Sequence, residues 1–351
     1  MEPIELSVLG PRLEALSGQQ WYLHLETTAG AYTAGGFGAY IRNARIDVRR
    51  AGLQGSGPFR AGVETADGWV YAEGLTHWEA DAEGRLLMAG YDGEGCVTVV
   101  CEFAARPFAM VPQARRISPP VAVDRAGGTA PPSPERAVLA VLAHPDDETF
   151  GCGGTLAAYA QGGVPVTLAC LTRGEMGRNM GKPAFATRET LPDLRVGELT
   201  AACAALGVAD LRLLAVWDKT SEFRDPDALA EQVSELLREL RPSLVITQHP
   251  VHGGHPDHCA AGAAAIAAVR RLPEGERPRL ECMVHPRVAE AEHLTLREID
   301  ISGAPAEAKM AATRAHRSQS EAMLQRLQTD PEEAERRRRW MQVERWLEYP
   351  V

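Results

Sequence analysis

A proline-rich segment divides this 351-residue chain into two halves with different hydrophobic patterns. Residues 105–135 contain seven prolines and almost no periodic apolar pattern, which is typical of an extended, semi-rigid linker. The sequence therefore predicts an N-terminal domain at 1–110, a linker at 111–135 and a C-terminal domain at 136–351.

Short apolar runs in the first half alternate with turn sequences. The runs WYLHLET, GWVYAEGLTHWEA and CVTVVCEF are rich in aromatic and β-branched residues, and such runs are separated by the turn signals ADG, DAEG and DGEG. This pattern predicts a small antiparallel β-rich domain.

The second half alternates between strand-like apolar runs and longer helical stretches. AVLAVLA, VPVTLACL, DLRLLAV and SLVITQ each lie next to a stretch with a helical pattern. Because parallel strands need crossover helices, this alternation predicts an α/β domain with a Rossmann-like, mostly parallel, doubly wound sheet. Residues 305–328 are predicted to form one helix.

Charge and hydropathy exclude several classes of partner. The formal net charge is −10 at pH 7, so the chain has no global positive field to attract nucleic acid or an anionic membrane surface. The first ten residues lack the basic flank and apolar core of a secretion signal, and no apolar run is long enough to span a bilayer. We therefore expect a cytoplasmic protein with a small-molecule ligand, and a homo-oligomer is compatible with the sequence.

Two polar clusters follow strand-like runs in the second half. His144, Asp146, Asp147 and Glu148 come directly after AVLAVLA, and the cluster HPVHGGHPDHCA follows SLVITQ in the same strand-to-loop position. Ligands of open parallel sheets collect outside the carboxyl ends of the strands. We therefore expect the two clusters to meet in space.

These clusters carry the ligand types of a hydrolytic zinc site. Such a site takes about three imidazole or carboxylate groups and leaves one position for water. His144, one carboxylate of the Asp146 and Asp147 pair, and one histidine of the second cluster satisfy that requirement. Exposed capping residues would explain either cluster alone, but they explain the pair poorly. His249 and His252 are left outside the predicted ligand set.

Several motifs resemble known protein families. AHPDDETFGCGGTLA and GGHPDHCAAG resemble the two signature motifs of the LmbE/PIG-L deacetylases, over about residues 136–330. Three further segments resemble the deacetylases of bacillithiol biosynthesis, which hydrolyse N-acetylglucosaminyl-malate to glucosaminyl-malate. These segments are LTRGEMGRNMGKPAFATRETLPDLR, LRLLAVWDKTSEF and AHRSQSEAML. LHLETTAGAY, GAYIRNA and GWVYAEGLTHWEAD are similar to YojF-like proteins, so the chain looks like a fusion of the two.

The resemblance to the deacetylases implies a metal site and an activity. It implies a zinc-dependent N-deacetylase with one metal ion per active site, and Fe(II) is the alternative metal. The implied ligands are His144, Asp147 and His258. The implied substrate is a small, anionic sugar conjugate.

The same resemblance implies roles for the remaining polar side chains. Asp146 is the implied base that takes a proton from the attacking water. His255, as a cation, is expected to stabilise the developing oxyanion or to protonate the amine. Asp257 is predicted to hold one imidazole in orientation or to cap the helix that follows.

An excess of basic residues lies between the two clusters. Between residues 173 and 195, five basic side chains stand against three acidic ones. Arginine can hold both oxygens of a carboxylate, which suits a malyl group. Arg195 matches the position of the family's substrate-contacting arginine, and Arg178 and Arg188 are further substrate-binding candidates.

The sequence leaves three alternative functions open. The same site would also serve an amidase that cleaves bacillithiol S-conjugates. Two histidines and one carboxylate also describe Fe(II) oxygenase sites, although an aspartate pair with one member free as a base favours hydrolysis. The third alternative is a glycan-binding protein without catalytic activity.

Overall fold

The computed structural model describes residues 1–30, 36–110, 113–121, 131–285, 294–329, 332 and 340–351. The chain forms two compact units, of which the first consists of Met1–Met110 and Gly177–Leu191 and the second of Val111–Met176 and Pro192–Val351. The predicted domain limits did not place 177–191 with the N-terminal half. Within the described ranges, no helix is long and apolar enough to cross a bilayer.

The first unit is built on one antiparallel sheet. Helix α1 spans Leu6–Glu14 and buries Leu9 and Leu13 in the core of this unit. The strands are β1 (Glu2–Pro3), β2 (Gln20–Thr28), β3 (Gly38–Gln54), β4 (Phe59–Thr65), β5 (Trp69–Leu75), β6 (His77–Ala80), β7 (Leu86–Tyr91) and β8 (Val97–Ala104). Their order in the sheet is β1-β6-β7-β8-β2-β3-β4-β5, with antiparallel pairing among the described residues. The predicted antiparallel β-rich domain is confirmed.

The second unit has a mixed sheet with helices. Its strands are β9 (Arg115–Ile117), β10 (Val138–Leu142), β11 (Val166–Cys170), β12 (Asp210–Leu213), β13 (Leu244–Gln248), β14 (Arg279–Met283), β15 (Arg297–Asp300) and β16 (Val343–Glu348). Its helices are α2 (Asp147–Gln161), α3 (Leu191–Leu206), α4 (Pro226–Leu240), α5 (Pro256–Arg270), α6 (Ala304–Ala315) and α7 (Arg317–Thr329). The α/β architecture of this half is confirmed.

The strand order of this sheet is β15-β16-β14-β13-β10-β11-β12-β9. Strands β14, β13, β10, β11 and β12 pair in parallel, whereas β9, β16 and β15 pair antiparallel at the two edges. The sheet is therefore mixed, because the predicted linker supplies β9 and the C-terminal part of the chain supplies β15 and β16.

The central strand β10 is buried on both faces, as parallel strands between helical layers are. Successive side chains of a strand point to opposite faces. Val138 and Leu142 accordingly join the core that includes residues of α2 and α3, and Leu139 and Val141 join the core that includes residues of α4 and α5. This packing on both faces fixes where β10 ends and where its polar loop begins.

The predicted helix at 305–328 is wrong in one respect, because two helices replace it. His316 leaves helical geometry between α6 and α7, with φ −77° and ψ 54°. Its Nε2 lies 2.6 Å from Oε1 of Glu148 on α2, and both side chains are fully buried. This ion pair gives a physical reason for the break at His316.

Candidate active site

Two neighbouring parallel strands deliver the polar clusters to one edge of the sheet. Four residues separate the end of β10 at Leu142 from the start of α2 at Asp147, and a loop joins β13 to α5, which begins at Pro256. β10 and β13 pair in parallel, so the two loops leave from the same edge. β10 has β11 as its neighbour on one side and β13 as its neighbour on the other. The strand order therefore reverses at β10, and open α/β sheets bind ligands at such a switch point.

Three side chains from these loops converge. His144 Nδ1 lies 3.2 Å from His258 Nε2, and His258 Nε2 lies 3.2 Å from Asp147 Oδ1. One ligand atom from each of the three residues lies within 4.8 Å of the other two. The structure thus brings together the three residues predicted as metal ligands.

Hydrogen bonds fix the orientation of two of these groups. His258 Nδ1 lies 3.0 Å from the Gly253 carbonyl oxygen, which leaves the lone pair of Nε2 facing the cluster. Asp147 Oδ2 accepts from the His144 backbone N–H and from Gln248 Nε2, both at 2.8 Å. The ligand atoms are therefore held in place by groups that are not ligands.

The His144 ring is held from its far side. Its Nε2 lies 3.2 Å from Asp257 Oδ2 and 3.3 Å from Asp218 Oδ1. A proton on Nε2 satisfies these carboxylates, and the lone pair of Nδ1 then faces Asp147 and His258. Asp257 therefore lies against the imidazole of His144, where its predicted orienting role would act.

The cluster has an excess of negative charge. Burial lowers the pKa of His144, but the Asp218 charge and hydrogen bonds to the surrounding carboxylates outweigh burial and raise that pKa well above its ordinary value. Burial would raise the pKa of Asp147, but the His258 and His144 imidazoles outweigh it and hold the pKa well below its usual range. The space between His144, Asp147 and His258 thus favours a positive charge.

Two nitrogen atoms and one carboxylate oxygen in such an electrostatic setting fit a divalent metal ion. A second group, formed by His144, His255 and Asp257, also has ligand atoms within 4.8 Å. Asp257 is already engaged, because its oxygens accept from the backbone N–H groups of Lys219 at 2.7 Å and Ser221 at 3.0 Å. The first group is therefore the stronger candidate metal site, and Asp257 is a candidate for orienting His144.

Asp146 lies beside the cluster without joining it. It is the residue before α2 and has φ 110°, a left-handed value that is costly for a residue with a side chain. Burial raises its pKa to about 6, against the lowering effect of the Arg195 charge. The carboxylate is thus close to the metal ligands and able to accept a proton near neutral pH.

The predicted substrate role of Arg195 is not supported. Arg195 is 4% exposed and donates to Asp146 Oδ2 at 2.9 Å, to the Gly174 carbonyl at 3.1 Å and to the Pro145 carbonyl. These contacts orient the Asp146 side chain and leave little of the guanidinium for a ligand. The sequence alone could not show that these groups neighbour Arg195.

Arg178 and Arg188 also have partners that the sequence did not reveal. Arg188 pairs with Glu26, and Arg178 pairs with Asp92, both within the first unit. Their predicted role as substrate ligands is therefore not supported by their contacts.

His255 occupies the N-cap position of α5 and lines the site. Its Nδ1 accepts from the Asp257 backbone N–H at 3.1 Å, so His255 caps the helix where Asp257 was the predicted candidate. The ring centroid lies 5.0 Å from that of His144. Burial and the neighbouring imidazoles lower its pKa to about 4, which favours a neutral ring over the predicted cation. With Nδ1 accepting, Nε2 carries the proton and can donate it.

Three residues that support the site were missed by the sequence analysis. Asp218 faces His144, and Glu148 Oε2 accepts from the Asp146 backbone N–H at 2.9 Å while its Oε1 meets His316. Each lies in a segment that had been noted only for its likeness to a family or as part of an acidic run. His249 and His252 stack on each other at 4.5 Å and stay outside the ligand cluster, as predicted.

A cavity of about 730 Å³ opens beside His255. This volume suits a small organic ligand. The lining is largely apolar, and its charged members are the exposed side chains of Arg224, Glu222 and Asp227. Its other lining residues include Ser221, Leu229, Val251, Cys259 and Ala263.

Comparison with known families matches each half of the chain separately. The family model described as GlcNAc-PI de-N-acetylase matches residues 139–269. A family model described as a protein of unknown function, DUF1806, matches residues 3–108.

Curated relatives agree with this division. A protein of Bacillus cereus named probable N-acetyl-alpha-D-glucosaminyl L-malate deacetylase 2 is 44% identical over 219 residues, which cover 61% of this chain and 98% of the relative. A Bacillus subtilis protein with the same name is 47% identical over 194 residues, covering 54% and 86%. The uncharacterized protein YojF of Bacillus subtilis is 42% identical over 102 residues, covering 27% and 88%. Both resemblances drawn from the sequence motifs are confirmed.

Proposed function

Because this chain belongs to the GlcNAc-PI de-N-acetylase family, we propose that it hydrolyses the N-acetyl group of an N-acetylglucosaminyl conjugate. The substrate that we propose is N-acetylglucosaminyl-malate, which gives glucosaminyl-malate and acetate in bacillithiol biosynthesis. Sequence identity to the malate-conjugate deacetylases supports this substrate over other conjugates.

One observation carries the proposal. A cluster of His144, Asp147 and His258 lies next to Asp146, which is outside the cluster and has a pKa raised to about 6. This arrangement separates metal binding from proton transfer between two adjacent aspartates, as hydrolysis of an amide requires.

Zinc is the metal that we propose for this cluster, with one ion per site. When bound, it would supply Lewis acidity that polarises the amide carbonyl and makes a bound water more acidic. The two imidazole nitrogens and the carboxylate oxygen are ligand types that zinc prefers.

The side chains around the cluster supply the proton chemistry. Asp146 takes a proton from the water whose oxygen attacks the acetyl carbon. His255 donates a hydrogen bond from Nε2 to the oxygen that becomes negative. As the carbon–nitrogen bond breaks, protonated Asp146 passes its proton to the leaving amine, which yields acetate and the free amino sugar.

The malyl carboxylates need a cationic partner other than the three predicted arginines. Arg224 is exposed and lines the cavity beside His255, and no ion pair is formed by its guanidinium among the described residues. We therefore propose that Arg224 contacts the acidic part of the substrate.

A cytoplasmic location and the domain limits 1–110, 111–135 and 136–351 stay predictions.

Side-by-side hydrolysis assays test the substrate. Metal-stripped protein is reloaded with zinc and offered N-acetylglucosaminyl-malate and a bacillithiol S-conjugate at equal concentration. We expect acetate release from the first, loss of activity after stripping, and little cleavage of the second. Preferential cleavage of the S-conjugate would assign the amidase function instead. Saccharide binding without turnover would indicate a non-catalytic protein.

A further inference from the structure

Residues 177–191 belong to the first unit, although the residues on both sides of them belong to the second. The segment therefore leaves the second unit after Met176 and returns to it at Pro192. Within the first unit, this segment contacts residues of the N-terminal half through charged groups of both signs.

Arg188 of the segment forms a buried pair with Glu26 on β2. Its Nε lies 3.0 Å from Glu26 Oε2 and its Nη2 lies 3.3 Å from Oε1, so the contact is bidentate. Each side chain is 1% exposed. Paired, buried charges of this kind are stable only while both partners are present.

Glu189 of the segment supplies a negative charge to positively charged partners in the N-terminal half. Its carboxylate lies 2.9 Å from Arg42 Nη1, 3.2 Å from Arg42 Nη2 and 3.2 Å from Arg85 Nη1. The Glu189 side chain is 3% exposed and that of Arg42 is 6% exposed. Adjacent residues of the segment thus present opposite charges to complementary partners.

The start of the segment contacts the first residue of β8 in the same sheet. The Val97 backbone N–H donates to the Arg178 carbonyl at 3.0 Å, and Arg178 Nε donates to the Val97 carbonyl at 3.0 Å. Arg178 also reaches Asp92 Oδ2 at 2.8 Å and the Ala29 carbonyl at 3.1 Å. Cys96 and Asn179 form a β-bridge beside this pair.

From these contacts we infer that residues 1–110 are a receptor for segment 177–191, which the C-terminal half of the chain supplies. Without the segment, Glu26 would be a buried charge without Arg188, and Arg42 would lose Glu189. Such charges are costly to bury alone, which makes the segment the matching ligand of this surface. The inference depends on the first unit alone and not on the proposed activity.

Cleavage of the linker tests this inference in the full chain. A specific protease site is inserted between Pro112 and Gln113, so that β9 stays on the C-terminal fragment with its partner β12. The folded protein is cut, and the two fragments are passed over a size-exclusion column at micromolar concentration. We expect the fragments to elute together, because segment 177–191 stays bound to the N-terminal fragment. Separate elution of the wild-type fragments would overturn the inference.

A matched pair of variants assigns the binding to these charges. In the cut protein, the double change Arg188→Ala and Glu189→Ala should weaken association by about 100-fold or more, because it removes the ion pairs that the segment makes with Glu26 and Arg42. Arg212→Ala removes a partly buried arginine that pairs with Asp210 in the second unit, and it should leave association unchanged. Circular dichroism confirms that each variant is folded. Equal affinity in the double variant and the control would overturn the inference.

Discussion

Arg195 Nη2 donates to Asp146 Oδ2 at 2.9 Å, and this contact ties the proposed base to helix α3. Substitution of a residue that binds substrate mainly raises KM, whereas substitution of a residue that positions the base mainly lowers kcat. Because Arg195 is buried and already bonded, Arg195→Ala should lower kcat by about 100-fold and change KM little. A large rise in KM at unchanged kcat would instead restore the substrate role. Zinc content, measured in parallel, should be unchanged.

Gly174 provides the space that Arg195 needs. It has φ +66°, and a Cβ at this position would lie 1.9 Å from Arg195 Nη1. Gly174→Ala should therefore displace the guanidinium and lower kcat, with a loss of about 1–3 kcal/mol in the free energy of unfolding. The control is Gly197→Ala in α3, where a Cβ meets nothing within 4 Å. It should keep activity and gain up to about 1 kcal/mol. Equal behaviour of the two variants would contradict this account.

The backbone of Asp146 stores strain that glycine would relieve. Asp146→Gly and Asp146→Asn both remove the carboxylate, so both should abolish acetate release. Only the glycine variant tolerates φ 110° without strain. It should be more stable than the asparagine variant by about 1 kcal/mol or more in urea unfolding. Equal midpoints would show that this conformation is not strained.

Glu102 gives the first unit a pH-dependent stability. Burial and the nearby Glu189 raise its pKa well above the ordinary value, and its Oε2 has no hydrogen-bond partner among the described residues. The unfolded chain loses this proton at lower pH than the folded chain, so the contribution of Glu102 to stability falls as pH rises above about 4.5. Glu102→Gln should remove this loss and raise the melting temperature at pH 7 by a few degrees, about 1 kcal/mol. The gain should vanish near pH 4, and a gain that is the same at both pH values would contradict the prediction.

Arg224 should determine recognition of the acidic group. Arg224→Ala is expected to raise KM for N-acetylglucosaminyl-malate about 10-fold or more and to leave kcat nearly unchanged, because the contact is remote from the reacting bond. Arg238→Ala, on an exposed face of α4, is the control and should have no effect. A substrate without the malyl group should not distinguish the two variants. An unchanged KM in Arg224→Ala would remove Arg224 from the substrate site.

The meeting of the two polar clusters was predictable from the sequence because it depends on local rules. His144 and His258 follow apolar runs whose parallel pairing brings their loops to one edge. The partners of Arg178, Arg188 and Arg195 depend on contacts between residues far apart in the chain, which periodicity does not encode. Clustered arginines therefore indicated a local positive charge but not which carboxylates neutralise it.

The division into an antiparallel half and an α/β half was also predictable, because strand and helix periodicities differ. The return of 177–191 to the first unit was not, since its glycines and proline gave no strand or helix pattern. The break at His316 was missed for a related reason. A buried partner, Glu148, stabilises the non-helical residue, and only the folded structure places the two side chains together.

The most direct test of the proposed function is acetate release from N-acetylglucosaminyl-malate by the zinc-loaded protein and by Asp146→Asn, with zinc measured in both. The account predicts turnover by the wild type and a loss of at least about 1,000-fold in the variant, which should bind one zinc ion per chain as the wild type does. Wild-type protein that holds zinc but releases no acetate would contradict the assigned reaction. A variant that keeps its activity would contradict the role of Asp146 as the base.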